Sequence, residues 1–436
     1  MQHTTAPSSG RRRGRLAFLG VAVAAVAVAL AGTTQHAQAA TVTIDPLAPA
    51  FDFNAFVENE TTLASLEAEG AIATGGNLVV EGSYNVMIHD VGTFVAPGDS
   101  APSALVVGGR MDYTADPATS VVQVLNQGYV KIGDLTGTDV LNTDDNSASV
   151  NTRVVAAGAG YDSTPRLQLT VQQPLDSVGP SSPIDFAGAF AELRSTSATL
   201  AGCQGTVAMM DVGGTAVAEG EVAPGQIIEI SLEPGTTNVL DLTGEDLDNM
   251  SELRFLDQPT LDTPLLINVD TSGASGELDW DVAPQSPISG DQSPFILWNF
   301  GDTSRLRIAS GDTVQGSILA PYADYSDVSP TNVEGQIIAR NASLGEIGEN
   351  GGEIHHFPFA STLTCESDVE PSPSPSEPDP SGDGPTGGAS DGPTDGGADL
   401  PSTGQSLQPL LIAAGALVAV GAAVLVGATR RRRTQP

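Results

Sequence analysis

The chain has 436 residues, with 53 acidic side chains against 17 lysines and arginines, a formal charge of −36, and 40% hydrophobic but only 5% aromatic residues. That balance excludes nucleic acid and anionic membrane surfaces as partners recognised by charge, while five histidines and two cysteines leave little material for histidine-based catalysis or redox chemistry. The 49 glycines among many Val, Ile, Leu, Thr and Ser favour β structure with tight turns. At the N-terminus, Arg11, Arg12, Arg13 and Arg15 precede an apolar stretch from Leu16 to Ala31, and Ala37-Gln38-Ala39 supplies the small residues that a signal peptidase needs. Residues 1–39 are therefore predicted to be a signal peptide, and Ala40 begins the mature chain. The exported part then holds eight arginines and one lysine, Lys131, against all 53 acids. Such acidity serves solubility and repulsion between crowded copies.

Residues 40–365 contain no internal linker and read as one domain. Short apolar runs recur between glycines: 77–80, 104–107, 120–125, 128–132, 166–171, 226–230, 264–269 and 334–339. Several alternate with period two, as strands do. Short rungs with glycine punctuation predict a mainly β fold, a β-solenoid in which coils stack and bury alternate side chains. A β-sandwich is the alternative, because no strict repeat length emerges. One segment departs from this pattern: Ser182 as N-cap, Pro183 at the first helical position, then Phe186, Phe190, Leu193, Ser197 and Leu200 at helical spacing up to Gly202. It predicts an amphipathic helix of about five turns packed along the β body.

Few residues invite chemistry. Ser272-Gly273-Ala274-Ser275-Gly276 lacks the spacing of a hydrolase elbow. Glu353, His355 and His356 are a weak zinc set, since neighbouring strand residues point to opposite sides. Calcium is the one cofactor for which hard oxygen ligands gather, at Asp134, Asp139, Asp144, Asp145 and Asn146, and again at Asp241, Glu245, Asp246 and Asp248. Neither loop has EF-hand spacing, and solvated turns are the default reading. Trp298 is expected in the core rather than as a sugar platform. Lys131 is the only residue able to supply the amine of an intramolecular isopeptide. Cys203 and Cys365, exported and without CxxC spacing, are expected to form one disulfide.

From 366 to 399 the chain is almost entirely Pro, Ser, Gly, Asp and Thr, a composition that cannot bury enough to order itself. It is predicted to be a stalk. Leu400-Pro401-Ser402-Thr403-Gly404 follows, then an apolar run at 410–428 long enough to span a bilayer as a helix, then Arg430 to Arg433, which keep that end in the cytoplasm. The pentapeptide resembles the LPxTG substrate motif of sortases. The resemblance implies that a sortase cleaves after Thr403 and joins its carbonyl to a peptidoglycan amine on a Gram-positive cell, the precursor being held transiently in the membrane.

Two blocks of the domain resemble the choice-of-anchor A family. The first is Phe51-Asp52-Phe53-Asn54-Ala55-Phe56-Val57 with 69–78 and an echo at Val106-Val107-Gly108-Gly109; the second runs through Ile296-Leu297-Trp298-Asn299-Phe300, 316–323 and 332–339 to His355-His356-Phe357-Pro358-Phe359. The glycine pairs Gly75-Gly76 and Gly108-Gly109 suggest backbone that a Cβ would forbid, and Leu319-Ala320-Pro321 a rung ending in a turn. The resemblance implies an adhesive domain, with collagen suggested for some relatives, and it transfers no catalytic residue. The expected function is a non-enzymatic adhesin holding a matrix protein, a glycan or another cell. The alternatives are a polysaccharide-acting enzyme using paired carboxylates in a cleft, and a passive or ice-contacting surface protein. Regular Thr-x-Thr ladders would favour ice contact, but Thr41-Val42-Thr43 does not begin a regular series.

Overall fold

Alternating side chains and frequent glycines produce short strands that pair side by side rather than folding into hairpins. The computed structural model describes residues 40–113, 119–346 and 351–367. The chain divides into two compact units, Met1–Ser372 and Pro373–Pro436, and every described residue lies in the first. Ala55–Val57 pairs in parallel with Ile72–Thr74, and Thr61–Leu63 with Leu78–Val80, so the chain returns to the same place after seventeen residues. Most returns contribute a strand to each of three ladders, while at 238–255 helix Gly244–Asn249 takes the place of the middle strand. Glu67–Ala68 and Tyr84–Val86 supply the third for these two coils. Inward residues such as Leu63, Leu78, Val80 and Val86 are fully buried and form one elongated apolar core. Among the described residues the pairings are parallel, apart from the terminal pair, an extension at 138–169, one at 209–230 and an isolated bridge between Thr260 and Thr263.

Strand order does not follow chain order. Along one ladder the sequence is Tyr129–Ile132, Ser103–Val107, Ile72–Thr74, Ala55–Val57, Ile337–Leu344, Ser317–Asp327, Ile296–Asn299, Leu265–Asp270 and Asn238–Thr243. The N-terminal half thus steps from the middle to one end. The C-terminal half starts at the other end and steps back until Ile337 pairs with Ala55.

The helix α2 lies between these halves in sequence; the short α1, Leu175–Val178, precedes it and α3, Gly244–Asn249, follows. α2 runs Phe186–Ala201, with the Asp185 carboxylate accepting from Gly188 N at 3.0 Å. The cap is therefore Asp185 rather than Ser182, whose hydroxyl accepts from Ile184 N in a local turn, and the helix is shorter than expected. The buried stripe is the expected one, joined by Ala189. It covers the outer side of the ladder above, where Phe56 stacks on Phe186 and Phe190 at 5.2 and 5.5 Å and Leu297, Leu319 and Ile338 complete the contact. Asn268 Nδ2 donates to Leu200 O at 3.1 Å, satisfying one of the orphan carbonyls at the helix end. Arg194 forks onto Glu58 and also donates to Pro321 O at 3.1 Å.

As expected, a Cβ is forbidden at the glycine pairs: on Gly75 it would lie 2.2 Å from Glu58 O and on Gly108 2.4 Å from Gly75 O, so stacked corners require their absence of side chain, although neither has positive φ. One local expectation is corrected. Pro321 does not end a rung. Ser317–Asp327 continues through it with a register shift between Ala320 and Asp324, and carries the chain from the helix-covered ladder onto the next face. Cys203, just past α2, is disulfide-bonded to Cys365 in Leu363–Ser367, which pairs antiparallel with Ala40–Ile44. The expected membrane span at 410–428, the stalk at 366–399 (apart from Glu366 and Ser367) and the signal peptide lie outside the described residues. Among the described residues no helix is long and apolar enough to cross a membrane.

Candidate functional site

With one ladder covered by α2, the second ladder presents an uncovered seven-stranded surface. Its strands, in spatial order, are Met111–Asp112, Leu78–Val80, Thr61–Leu63, the second halves of Ile337–Leu344 and Ser317–Asp327, then Arg305–Gly311 and Glu277–Val282. Period-two alternation puts Leu63, Leu78, Leu306 and Trp280 inside. Facing outward in register are Asp112, Val79, Thr62, Ser343, Ser326, Arg307 and Asp279. At ~4.8 Å per strand the row is about 30 Å long.

A second row lies beside it. Glu277, Arg305, Asp324 and Asn341 are consecutive partners, and Asn341 Oδ1 accepts from Glu60 N at 3.2 Å. Asn77 and Arg110 continue it, Asn77 Oδ1 accepting from Arg110 N at 3.2 Å. Within this row Arg305 reaches Glu277 at 2.9 Å and Asp279 at 2.6 Å, and Asn341 Nδ2 donates to Asp324 Oδ1 at 2.7 Å. The Arg305 pair and hydrogen bond hold the Asp279 carboxyl below its usual range. The face is thus a grid of polar and charged groups interrupted by Val79.

Its acidic end borders two grooves. One, of about 600 Å³, is lined by Glu245, Asp248, Asp270, Glu277, Asp279 and Arg305. The other, of about 390 Å³, is lined by Glu219, Asp241, Asp270 and Asp302 with Asn268 and Asn299. Partial burial and then the neighbouring carboxylates push Glu219 and Asp248 up, and burial pushes Asp241 up against the hydrogen bond from Asn268. Asp270 is instead lowered, by hydrogen bonds from Ser272, and is hydrogen-bonded to Asp302.

The calcium loops are not gathered around a shared point. Asp246 is 1% exposed and caps α3 and the 220–222 turn, accepting from Thr243, Gly220 N and Val222 N. Asp241 faces the smaller groove, and Glu245 and Asp248 the larger. In the other loop Asp134 accepts from Thr136 N, Asp139 from Gly158 N, and Asp144 from Asn146 N and Ala148 N. Among the described residues no three His, Cys, Asp or Glu side chains are placed to hold a metal.

The third ladder uses its polar groups internally. Asn85 donates to Glu67, Gln123 to Asn85, Gln168 to Gln123 and Arg166 to Gln168, all at 3.0–3.2 Å. Here His355 sits between Glu334 at 2.8 Å and Glu353 at 3.2 Å. Burial lowers it, but these carboxylates outweigh burial and raise it overall. His356 packs the other way, against Gly70, and burial lowers it. The Glu353, His355 and His356 set is therefore split. Trp298 is 1% exposed, its indole donating to Gln315 O at 2.9 Å, and belongs to the core as expected. Leu400, Pro401, Ser402, Thr403 and Gly404, with Ala37 and Ala39, lie outside the described residues; Ala40 opens the first strand. The open face had escaped sequence reading, because its residues come one or two at a time from seven strands. The available signal was the outward position within each period-two run.

Uncovered rungs carrying a regular polar grid, on a chain with a cell-wall anchor motif, define a surface-displayed adhesive domain. Residues 46–356 match the family described as "Putative Ice-binding-like adhesive domain", and the chain belongs to that family. Residues 392–434 match the LPXTG cell wall anchor motif, which makes this a cell-wall-anchored surface protein handled by sortase. The resemblance to choice-of-anchor A proteins is matched at the level of an adhesive domain and not by name. An ice binding protein from an Antarctic Biological Consortium is similar over 74% of this chain and 95% of its own, at 11% identity and a TM-score of 0.25. Another, from an Antarctic bacterium, Flavobacteriaceae, is similar over 69% and 81%, at 11% identity and a TM-score of 0.23. No curated protein matches the chain.

Proposed function

We propose that residues 40–365 form a β-solenoid displayed on the cell wall as a non-catalytic adhesin, which holds a matrix protein, a glycan or another cell through the open face. The observation that carries this reading is a row of outward side chains in register across seven strands, polar except for Val79, beside a second polar row in register across four, both left open by α2, with α3 packed only at the Glu277–Val282 edge. A rigid, shallow, periodic surface makes many weak polar contacts rather than enclosing a small ligand. Family membership and the anchor motif favour the same role. Display then requires cleavage before Ala40, retention of the precursor by 410–428, and sortase transfer of the Thr403 carbonyl to a peptidoglycan amine. The purified body, residues 40–367, is to be passed over immobilised collagens, other matrix proteins and glycans at physiological salt, with calcium or with EDTA. Saturable binding to one class supports the reading. Silence across the panel moves the protein to a passive surface role or to the second reading.

That second reading is an enzyme acting on polysaccharide, and one observation favours it: Glu219 and Asp241, both raised, face Asp270 and Asp302 in one groove. Glycosidic cleavage uses two carboxyl groups flanking the scissile bond, one as acid and the other as base or nucleophile. Release of reducing ends from a polysaccharide panel, abolished by Glu219→Gln, is its test.

A further inference from the structure

Lys131 is the chain's only lysine, and it is buried. It lies in Tyr129–Ile132, the last strand of the N-terminal half on the covered ladder. Its side chain is 9% exposed and that of its partner, Asp99, 3%. Nζ is 2.5 Å from Asp99 Oδ2, 2.5 Å from Ser177 O and 3.2 Å from Ser177 Oγ. The contact with Oδ2 is close but not aligned as a hydrogen bond, and that buried oxygen accepts none. A buried ion pair offsets its desolvation only when its hydrogen bonds are good, so this one is a poor structural salt bridge.

The surroundings are arranged around the pair. Ser177 Oγ accepts from Lys131 Nζ and donates to Asp99 Oδ1 at 2.8 Å, bridging amine and carboxyl. Gln173, fully buried, donates to the same hydroxyl at 2.9 Å and is itself clamped at 2.8 Å to both Val130 N and Val130 O. The hydroxyl is thus held in place by a side chain locked onto the lysine's own strand.

We propose that Lys131 and Asp99 condense in the folded protein to an intramolecular isopeptide bond, with Ser177 as the proton relay. Nζ passes one proton through Ser177 Oγ to Asp99 Oδ1, leaving a neutral amine beside a neutral acid. The amine lone pair attacks Cγ and the C–N bond forms. A second proton follows the same route, the Cγ–Oδ1 bond breaks, and Oδ1 leaves as water. Oδ2 becomes the amide oxygen, and the remaining N–H donates to Ser177 O. One ammonium and one carboxylate become one amide and one water, with no oxidant or cofactor. Fixed proximity between two nearly buried side chains at the base of an open groove supplies the driving geometry and an exit for the water, and the product removes two buried charges. The bond is a second covalent tie, beside the disulfide, and joins the loop at Asp99 to the end strand.

The test uses the exported full chain, denatured and reduced, and read by mass and by Lys-C, which has one site to cut. The expected wild-type chain is lighter than its sequence by one water and stays whole under Lys-C. Asp99→Ala restores the mass and cleavage after Lys131; Lys131→Arg, which keeps the charge, also loses the water deficit and serves if the first variant does not fold. Ser177→Ala forms the bond at least tenfold more slowly. A wild-type chain of full mass, cut as completely as Asp99→Ala, overturns the proposal, and an unchanged rate in Ser177→Ala overturns the relay.

Discussion

Asp327 ends the strand Ser317–Asp327 with 2% exposure, pointing into the core between Ile308 and Leu344. Burial pushes its carboxyl up to about 7, although Ser329 N at 3.1 Å, the Tyr325 hydroxyl and Gly352 N all donate to it. A folded value above the unfolded one means stability that is complete below about pH 4 and lost as pH rises towards 7. At 1.36 kcal/mol per unit, the loss is roughly 4 kcal/mol. Asp327→Asn is therefore expected to match wild type at pH 4 and to exceed it at pH 8, in denaturation midpoints taken across that range. Parallel curves for the two proteins would remove this account of Asp327. His355 is also raised, so its contribution fades in the same direction, and only the difference between the two proteins isolates Asp327. Nothing at the sequence level marks this aspartate. Its burial comes from a bend past Pro321 that turns the second half of a long strand onto another face.

The halves of the body meet through the pairing of Ala55–Val57 and Thr61–Leu63 with Ile337–Leu344; α2 packs across both halves, and the disulfide ties its end to the terminal strand pair. Phe190 is fully buried between α2 and Phe56. Phe190→Ala is expected to cost about 3–5 kcal/mol, the usual range for an aromatic core truncation, seen as a lowered urea midpoint with the slope unchanged. Cys203 and Cys365 are 162 residues apart, and replacing both with Ser is expected to cost roughly 2–5 kcal/mol. A midpoint that does not move in the non-reducing scan would show that the antiparallel pairing of Ala40–Ile44 with Leu363–Ser367 holds the terminus alone. The helix stripe was legible because Phe186, Phe190, Leu193, Ser197 and Leu200 recur at helical spacing, whereas its start was not, because Ser182-Pro183 and Asp185 are both good entry signals. The strands were legible from their period-two runs. Their partners were not: Glu60 and Asn341 meet from 281 residues apart, and the return length grows from seventeen residues at Ala55 and Ile72 to thirty-one at Ile267 and Trp298. The short α3 escaped because its Thr243 and Asp246 capping box lies within a run of acids that reads equally well as a turn.

On the scale of the whole molecule, the described body has three ladders with different fates: one under α2, one whose amides bond to each other, and one whose two polar rows stand open. At the end of the open face, Glu245, Asp248, Asp270, Glu277 and Asp279 line the larger groove with one arginine, Arg305. The anchoring at residues 392–434 was legible from motif order alone, but the face that an anchored adhesin would present was not, since it exists only once non-local strands are in register. The direct test is adhesion of cells displaying the anchored protein to surfaces coated with matrix proteins or glycans. Three forms are compared: wild type, an open-face variant with Thr62→Arg, Ser326→Arg and Ser343→Arg, and a ladder-face control with Gln123→Arg, all at matched display and melting temperature. The account expects wild type and control to adhere alike and the open-face variant to lose at least tenfold. Equal adhesion by all three, or none by wild type on any coating, would contradict it.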